Sequence, residues 1–182
     1  MILFWAMSFG LAGEPLVTEG FEAAKARHLR VQSVSMGVLA SWSVVNLGVG
    51  GVGAVIAESP RQEGFWAGNA GWNLVNLGIA TSGLASVGAK RTSITTGPQL
   101  LKAQNNLERA LLVNIGLDVA YMMAGLAVRE RGLRVEDPRL QGFGDALLVQ
   151  GGFLFVFDIG AFAASRRSRR RDVYQPFSST RP

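Results

Sequence analysis

The sequence predicts an all-α integral membrane protein, a four-helix bundle assembled from two helical hairpins. Two observations predict it: charge is confined to short blocks, and the four runs between those blocks are long enough to cross a bilayer. Val31 to Ala57 holds no charged residue in 27 positions, and Gly64 to Ala89 holds none in 26. Ala110 to Val128 carries one charge in 19, Asp118, and Ala146 to Ser165 one in 20, Asp158. A hydrocarbon core of about 30 Å takes about 20 apolar helical residues. Helices of a water-soluble domain keep a polar face instead. The hydrophobic share of 48% is ordinary, so the arrangement of these residues decides the class. The four spans are placed at about 33–57, 65–89, 109–129 and 143–165, within one membrane domain of 31–165.

In chain order, residues 1–12 (MILFWAMSFGLA) come first, apolar and ending in small residues like the later part of a secretory signal. They lack the basic start such a signal needs and are too short to span alone. Residues 13–30 form an amphipathic surface helix. Val17, Phe21, Ala24, His28 and Val31 recur at helical spacing, with Glu19, Glu22, Lys25, Arg27 and Arg30 elsewhere on the circumference. Residues 166–182 form a basic tail without periodicity after Asp172, expected to be disordered.

Four spans place both termini on one side. That side carries 13 of the 18 lysines and arginines, including the run Arg166-Arg167-Ser168-Arg169-Arg170-Arg171 beside span four. Basic residues concentrate on the cytoplasmic side, so both termini are expected there. Cleavage of residues 1–12 as a signal would reverse this orientation. The net charge of +5 follows from the same loops, and no basic surface interleaved with aromatics suggests nucleic acid.

A tetrapeptide recurs in every span: Val45-Asn46-Leu47-Gly48, Val75-Asn76-Leu77-Gly78, Val113-Asn114-Ile115-Gly116 and Val149-Gln150-Gly151-Gly152. Glycine lets helix backbones approach, and an amide can bond across to a neighbour. The expectation is therefore that Gly48, Gly78, Gly116 and Gly152 pack helices together. Asn46, Asn73, Asn76, Asn114, Asp118, Tyr121, Gln150 and Asp158 are expected to form a polar bundle core. An unpaired amide or acid facing lipid costs several kcal/mol, by an order-of-magnitude argument.

Asp118 and Asp158 each lie about 10–12 Å inside the same face, at about 1.5 Å per residue. Facing each other, they would share a proton or hold a cation. Intramembrane acids are functional candidates by default; the plainer alternative is packing through hydrogen bonds to Asn114, Tyr121 or backbone carbonyls. Gly142-Phe143-Gly144-Asp145 spells the Gly-x-Gly-Asp of intramembrane aspartyl proteases. Asp145, however, falls at the mouth of span four opposite to the two other acids, and it is expected to favour the start of a helix. No histidine lies in a span to activate a hydroxyl, and there is no cysteine. Disulfides, thiolate metal sites and thiol nucleophiles are excluded. No catalytic set, cofactor or metal site is expected.

The stretches Gly71 to Gly83 (GWNLVNLGIATSG), Asn114 to Gly125 (NIGLDVAYMMAG) and Arg139 to Asp158 (RLQGFGDALLVQGGFLFVFD) resemble a family of uncharacterised four-span bacterial membrane proteins. The resemblance covers roughly residues 29–164 and implies a bacterial inner-membrane location, with no activity or cofactor attached. Two functional expectations stand beside it. One is an accessory or structural membrane protein, a homo-oligomer or a subunit of a larger membrane assembly. The other is a small oligomeric transporter of protons, cations or a small solute through the Asp and Asn residues.

Overall fold

The computed structural model describes residues 14–174, so the segment 1–12 and the last residues of the tail, 175–182, lie outside the described part. Four helices follow one another: α1 (Glu14–Val55), α2 (Pro60–Ser93), α3 (Gly97–Arg134) and α4 (Pro138–Tyr174). Their lengths of 42, 34, 38 and 37 residues exceed what about 30 Å of hydrocarbon requires. Three of them, over Gly20–Val55, Gly97–Arg134 and Pro138–Arg171, are long and apolar enough to cross a membrane. α2 falls short of the same standard; Asn69, Asn73 and Asn76, with its glycines, serines and threonines, dilute its apolar character.

Each turn between helices is written locally. Ser59 caps α2 by accepting from the Gln62 backbone N–H, and Pro60 follows at the first helical position. Thr96 and Gln99 form a capping box at the start of α3. α3 ends in a Schellman arrangement: the Asp137 N–H donates to Gly132 O at 2.8 Å and Glu136 adopts φ 53°. Asp137 then caps α4, its Oδ1 accepting from the N–H groups of Arg139 and Leu140 at 3.0 and 3.2 Å. Such short connections force antiparallel neighbours, and α1 with α2 and α3 with α4 form the two tightest hairpins.

The hairpins join chiefly through α2 and α4. α1 also approaches α4, whereas α3 leans on α4 and barely meets α1. The section is thus a rhombus with an open edge between α1 and α3. The start of α1, the end of α4 and the α2–α3 turn occupy one end, the termini end; the two hairpin turns occupy the other.

Close approach is made mostly by glycines outside the repeated tetrapeptide; Gly151, inside the fourth, is the exception, a Cβ there lying 3.2 Å from Met122 N. A Cβ on Gly64 would run into the Arg139 carbonyl, and one on Gly142 into that of Arg61, which seats α2 against α4. On α3 a Cβ at Gly125 would lie 3.0 Å from Gly144 O, and at Gly144 it would lie 2.6 Å from Arg129 N. By contrast, Gly48, Gly78, Gly116 and Gly152 have nothing within 4 Å of a Cβ, so their expected packing role is corrected. The reason is angular. In each tetrapeptide the glycine follows the amide by two residues, about 200° around a helix of 3.6 residues per turn. An amide turned inward therefore turns its glycine outward. The valine, three residues before the glycine, shares that outward face: Val45, Val75 and Val113 are about 60% exposed.

Three other expectations change. Residues 14–30 are continuous with the first span as one helix, with no break into a separate surface helix. The basic run Arg166 to Arg171 is helical, carried by α4 to Tyr174, where disorder was expected. Asp145 lies two turns inside α4, because Pro138 and the Asp137 cap start the helix earlier than the Gly-x-Gly-Asp pattern suggested.

Candidate functional site in the bundle interior

Polar side chains fill the interior at two levels. Nearer the hairpin end is an amide cluster joining α1, α2 and α4. Trp42 Nε1 donates to Gln150 Oε1 at 3.1 Å, and Gln150 Nε2 donates to Asn69 Oδ1. Asn69 Nδ2 donates to Asn46 Oδ1 at 3.2 Å, and Asn46 Nδ2 returns to the Trp42 carbonyl at 2.9 Å. Asn73, fully buried, donates back to the Asn69 carbonyl at 2.8 Å. The circuit Trp42–Gln150–Asn69–Asn46 lets each amide spend donors and acceptors on protein partners, which burial in an apolar medium demands. Trp42 is also stacked on Phe153, with ring centroids 3.7 Å apart, so its indole is fixed by both its face and its N–H.

Nearer the termini end lies the acid pair. Asp118 on α3 and Asp158 on α4 are 2% and 4% exposed. The two carboxyl groups lie close enough to interact, and the Asn114 side chain adjoins Asp158. The equal depths expected from the sequence thus bring the two acids into contact. Trp72 on α2 meets Tyr121 on α3 edge-on, centroids 4.7 Å apart. Because α2 and α3 run antiparallel, Asn76, one turn beyond Trp72, comes level with Leu117 and Asp118. Trp72 Nε1, Asn73 Oδ1 and Asn76 Nδ2 on α2 and Asp118 Oδ2 on α3 are buried polar atoms with no hydrogen-bond partner among the described residues. Groups of that kind are normally satisfied by water or an ion.

Among the expected core residues, Asn73, Asn76, Asp118, Gln150 and Asp158 are buried. Asn46 and Tyr121 are half-buried. Asn114 is corrected: it is exposed on α3 and only its amide turns back to Asp158. Asn69 and Trp42 were visible on the same stripes but prove central, since Gln150 joins them. Ser43, fully buried, donates to its own helix at Leu39 O and gave no pattern to find.

Ion pairs close both ends. At the hairpin end Asp145 takes Arg61 at 2.6 Å and Arg129 at 3.0 Å, and Arg139 pairs with Glu63 at 2.7 Å. At the termini end the buried Glu108 faces Arg166 and Arg169, and Arg169 donates to Asn105 at 2.6 Å. Among the described residues no group of three or more His, Asp or Glu could hold a metal ion.

Residues 38–159 match a family of unknown function, DUF6992, over about two thirds of the chain. The chain belongs to that family. The matched DUF6992 segment contains the whole amide circuit and both acids, and stops short of the basic end of α4. Comparison with curated proteins and with solved structures returned no match.

Proposed function

We propose that this DUF6992 protein is a small four-span protein of the bacterial cytoplasmic membrane that binds and passes a proton or small cation through Asp118 and Asp158. The observation that carries the reading is the mutual contact of two nearly fully buried acids inside a bundle of membrane-length helices. Such a pair changes charge when it gains or loses a proton, and a cation can take the proton's place. The unpartnered atoms of Trp72, Asn73, Asn76 and Asp118 support a hydrated step beside it. The spanning of α2 belongs to this proposal. α2 lies along α1 and α4, its asparagines turn inward, and its outward residues Leu74, Val75 and Ile79 are more than half exposed.

The test is flux in liposomes. Proton or cation movement above empty vesicles is expected from the wild-type protein, with at least a tenfold loss in Asp118→Asn and Asp158→Asn. No flux above empty vesicles would remove the reading.

A second reading, an accessory subunit of a membrane assembly, is favoured by a different observation. The last glycine of each repeat has nothing within 4 Å of a Cβ, and the valines of the repeats are 47–62% exposed, which leaves smooth surface for another membrane helix. A strictly monomeric preparation that captures no partner from native membranes would count against it. Neither reading includes catalysis. Asp145 is engaged by Arg61 and Arg129, and it stands about 20 Å along α4 from Asp158, at about 1.5 Å per residue.

A further inference from the structure

At the termini end, where α1 and α3 separate, a groove of about 500 Å³ opens between the last turn of α2 and the first turns of α3. Lys90 and Lys102 provide its charge, Gln99 and Asn106 further polar groups, and Leu107 and Ala110 its apolar end. Among the described residues no acidic one lines it. The nearest acid in sequence, Glu108, faces the arginines of α4 instead. Lys90 donates to Gln32 Oε1 at 2.9 Å, a neutral partner, and burial lowers its pKa from the ordinary lysine value. A partly desolvated ammonium without a counter-charge among the described residues is what an anion would complement.

Position selects the kind of anion. Lys90 adjoins the uncharged run of α2, and Ala110 begins that of α3. The polar end of the groove therefore stands outside the hydrocarbon, and its apolar end points into it along the open edge between α1 and α3. Basic pockets between spanning helices at this level suit lipid headgroups. We propose that the groove binds one anionic phospholipid, with its phosphate between Lys90 and Lys102 and an acyl chain along Leu107 and Ala110. The site is separate from the acid pair and does not depend on its function.

The experiment uses the full chain in a neutral detergent, titrated with dioleoyl-phosphatidylglycerol, dioleoyl-phosphatidylcholine or inorganic phosphate, and reads thermal unfolding and lipid retention in native mass spectra. Phosphatidylglycerol alone is expected to raise the midpoint and remain bound. Each basic residue near a membrane surface contributes a factor of about five in affinity. Lys102→Gln, at an exposed position, is expected to weaken retention about fivefold and Lys90→Gln/Lys102→Gln more. Arg170→Gln/Arg171→Gln removes equal charge away from the groove and should change retention less than twofold. Equal effects of the two lipids would overturn the proposal. So would an equal loss in the arginine variant, which marks general surface attraction, or an equal response to inorganic phosphate, which marks a site for free anions.

Discussion

Gln150 is the residue on which three helices depend. It accepts from the Trp42 indole on α1 and donates to Asn69 on α2 while sitting fully buried on α4. Leucine would fill the same space but leave Trp42 Nε1 and Asn69 Oδ1 without those partners. Leaving buried groups unsatisfied costs about 1–3 kcal/mol, whereas interhelical hydrogen bonds in membranes average about 0.6 kcal/mol. Gln150→Leu is therefore expected to lower stability by about 1–2 kcal/mol, read as an earlier unfolding midpoint in detergent, with altered Trp42 emission. An unchanged midpoint and spectrum would mean that the circuit adds nothing beyond packing. Asp145 differs in kind. Its arginine partners are half-exposed, so Asp145→Ala should cost about 1 kcal/mol or less, and high salt should erase most of it.

At the scale of the element, glycine position decides whether a helix surface is seam or skin. Gly142 sits where α4 presses on the Arg61 carbonyl, and a Cβ there collides with backbone. Overpacking of that sort costs about 1–3 kcal/mol or more, so Gly142→Ala should unfold markedly earlier and loosen α2 from α4. Gly78 faces open space; alanine there gains helix propensity of up to about 1 kcal/mol. Gly78→Ala should leave the midpoint unchanged or raised. Equal destabilisation by both substitutions would contradict the angular argument that separates amide from glycine by two residues. The same argument explains why the repeat was legible as a repeat and misleading as a packing motif. It marks an outward small face opposite the inward amides Asn76 and Gln150, and the seams are built mostly from glycines outside it, Gly64, Gly68, Gly125, Gly142 and Gly144, with Gly151 of the fourth tetrapeptide as the exception.

For the whole molecule the decisive measurement is topology. The chain has no cysteine, so single cysteines report one position each. Glu58→Cys and Glu136→Cys, in the two hairpin turns, are expected to react with a membrane-impermeant maleimide added outside intact cells. Thr95→Cys, in the α2–α3 turn, is expected to react only after the membrane is opened. That outcome would establish α2 as a span and place both termini in the cytoplasm, as the arginine distribution favours. Labelling of Glu58→Cys and Thr95→Cys from one side, with Glu136→Cys protected there, would show that α2 does not cross while α3 does. Residue 95 reactive from outside and the other two protected would show the reversed orientation that a cleaved 1–12 segment predicts.

Much of this protein is determined by sequence alone. Charge segregation specifies long apolar helices, and Ser59-Pro60, Thr96 with Gln99, and Asp137-Pro138 specify where they begin, because caps and proline act within one turn of themselves. The inward stripe of Asn73, Asn76, Asp118 and Asp158 is also legible, since a polar group in apolar surroundings has one acceptable direction. Tertiary structure alone decided which side chains meet. Gln150 reaches Trp42 and Asn69, Asp118 reaches Asp158, and α3 leans on α4 while standing apart from α1. Those outcomes depend on the relative rotation and offset of whole helices. Glycines scattered across α2, α3 and α4 set that geometry, and no local pattern encodes it.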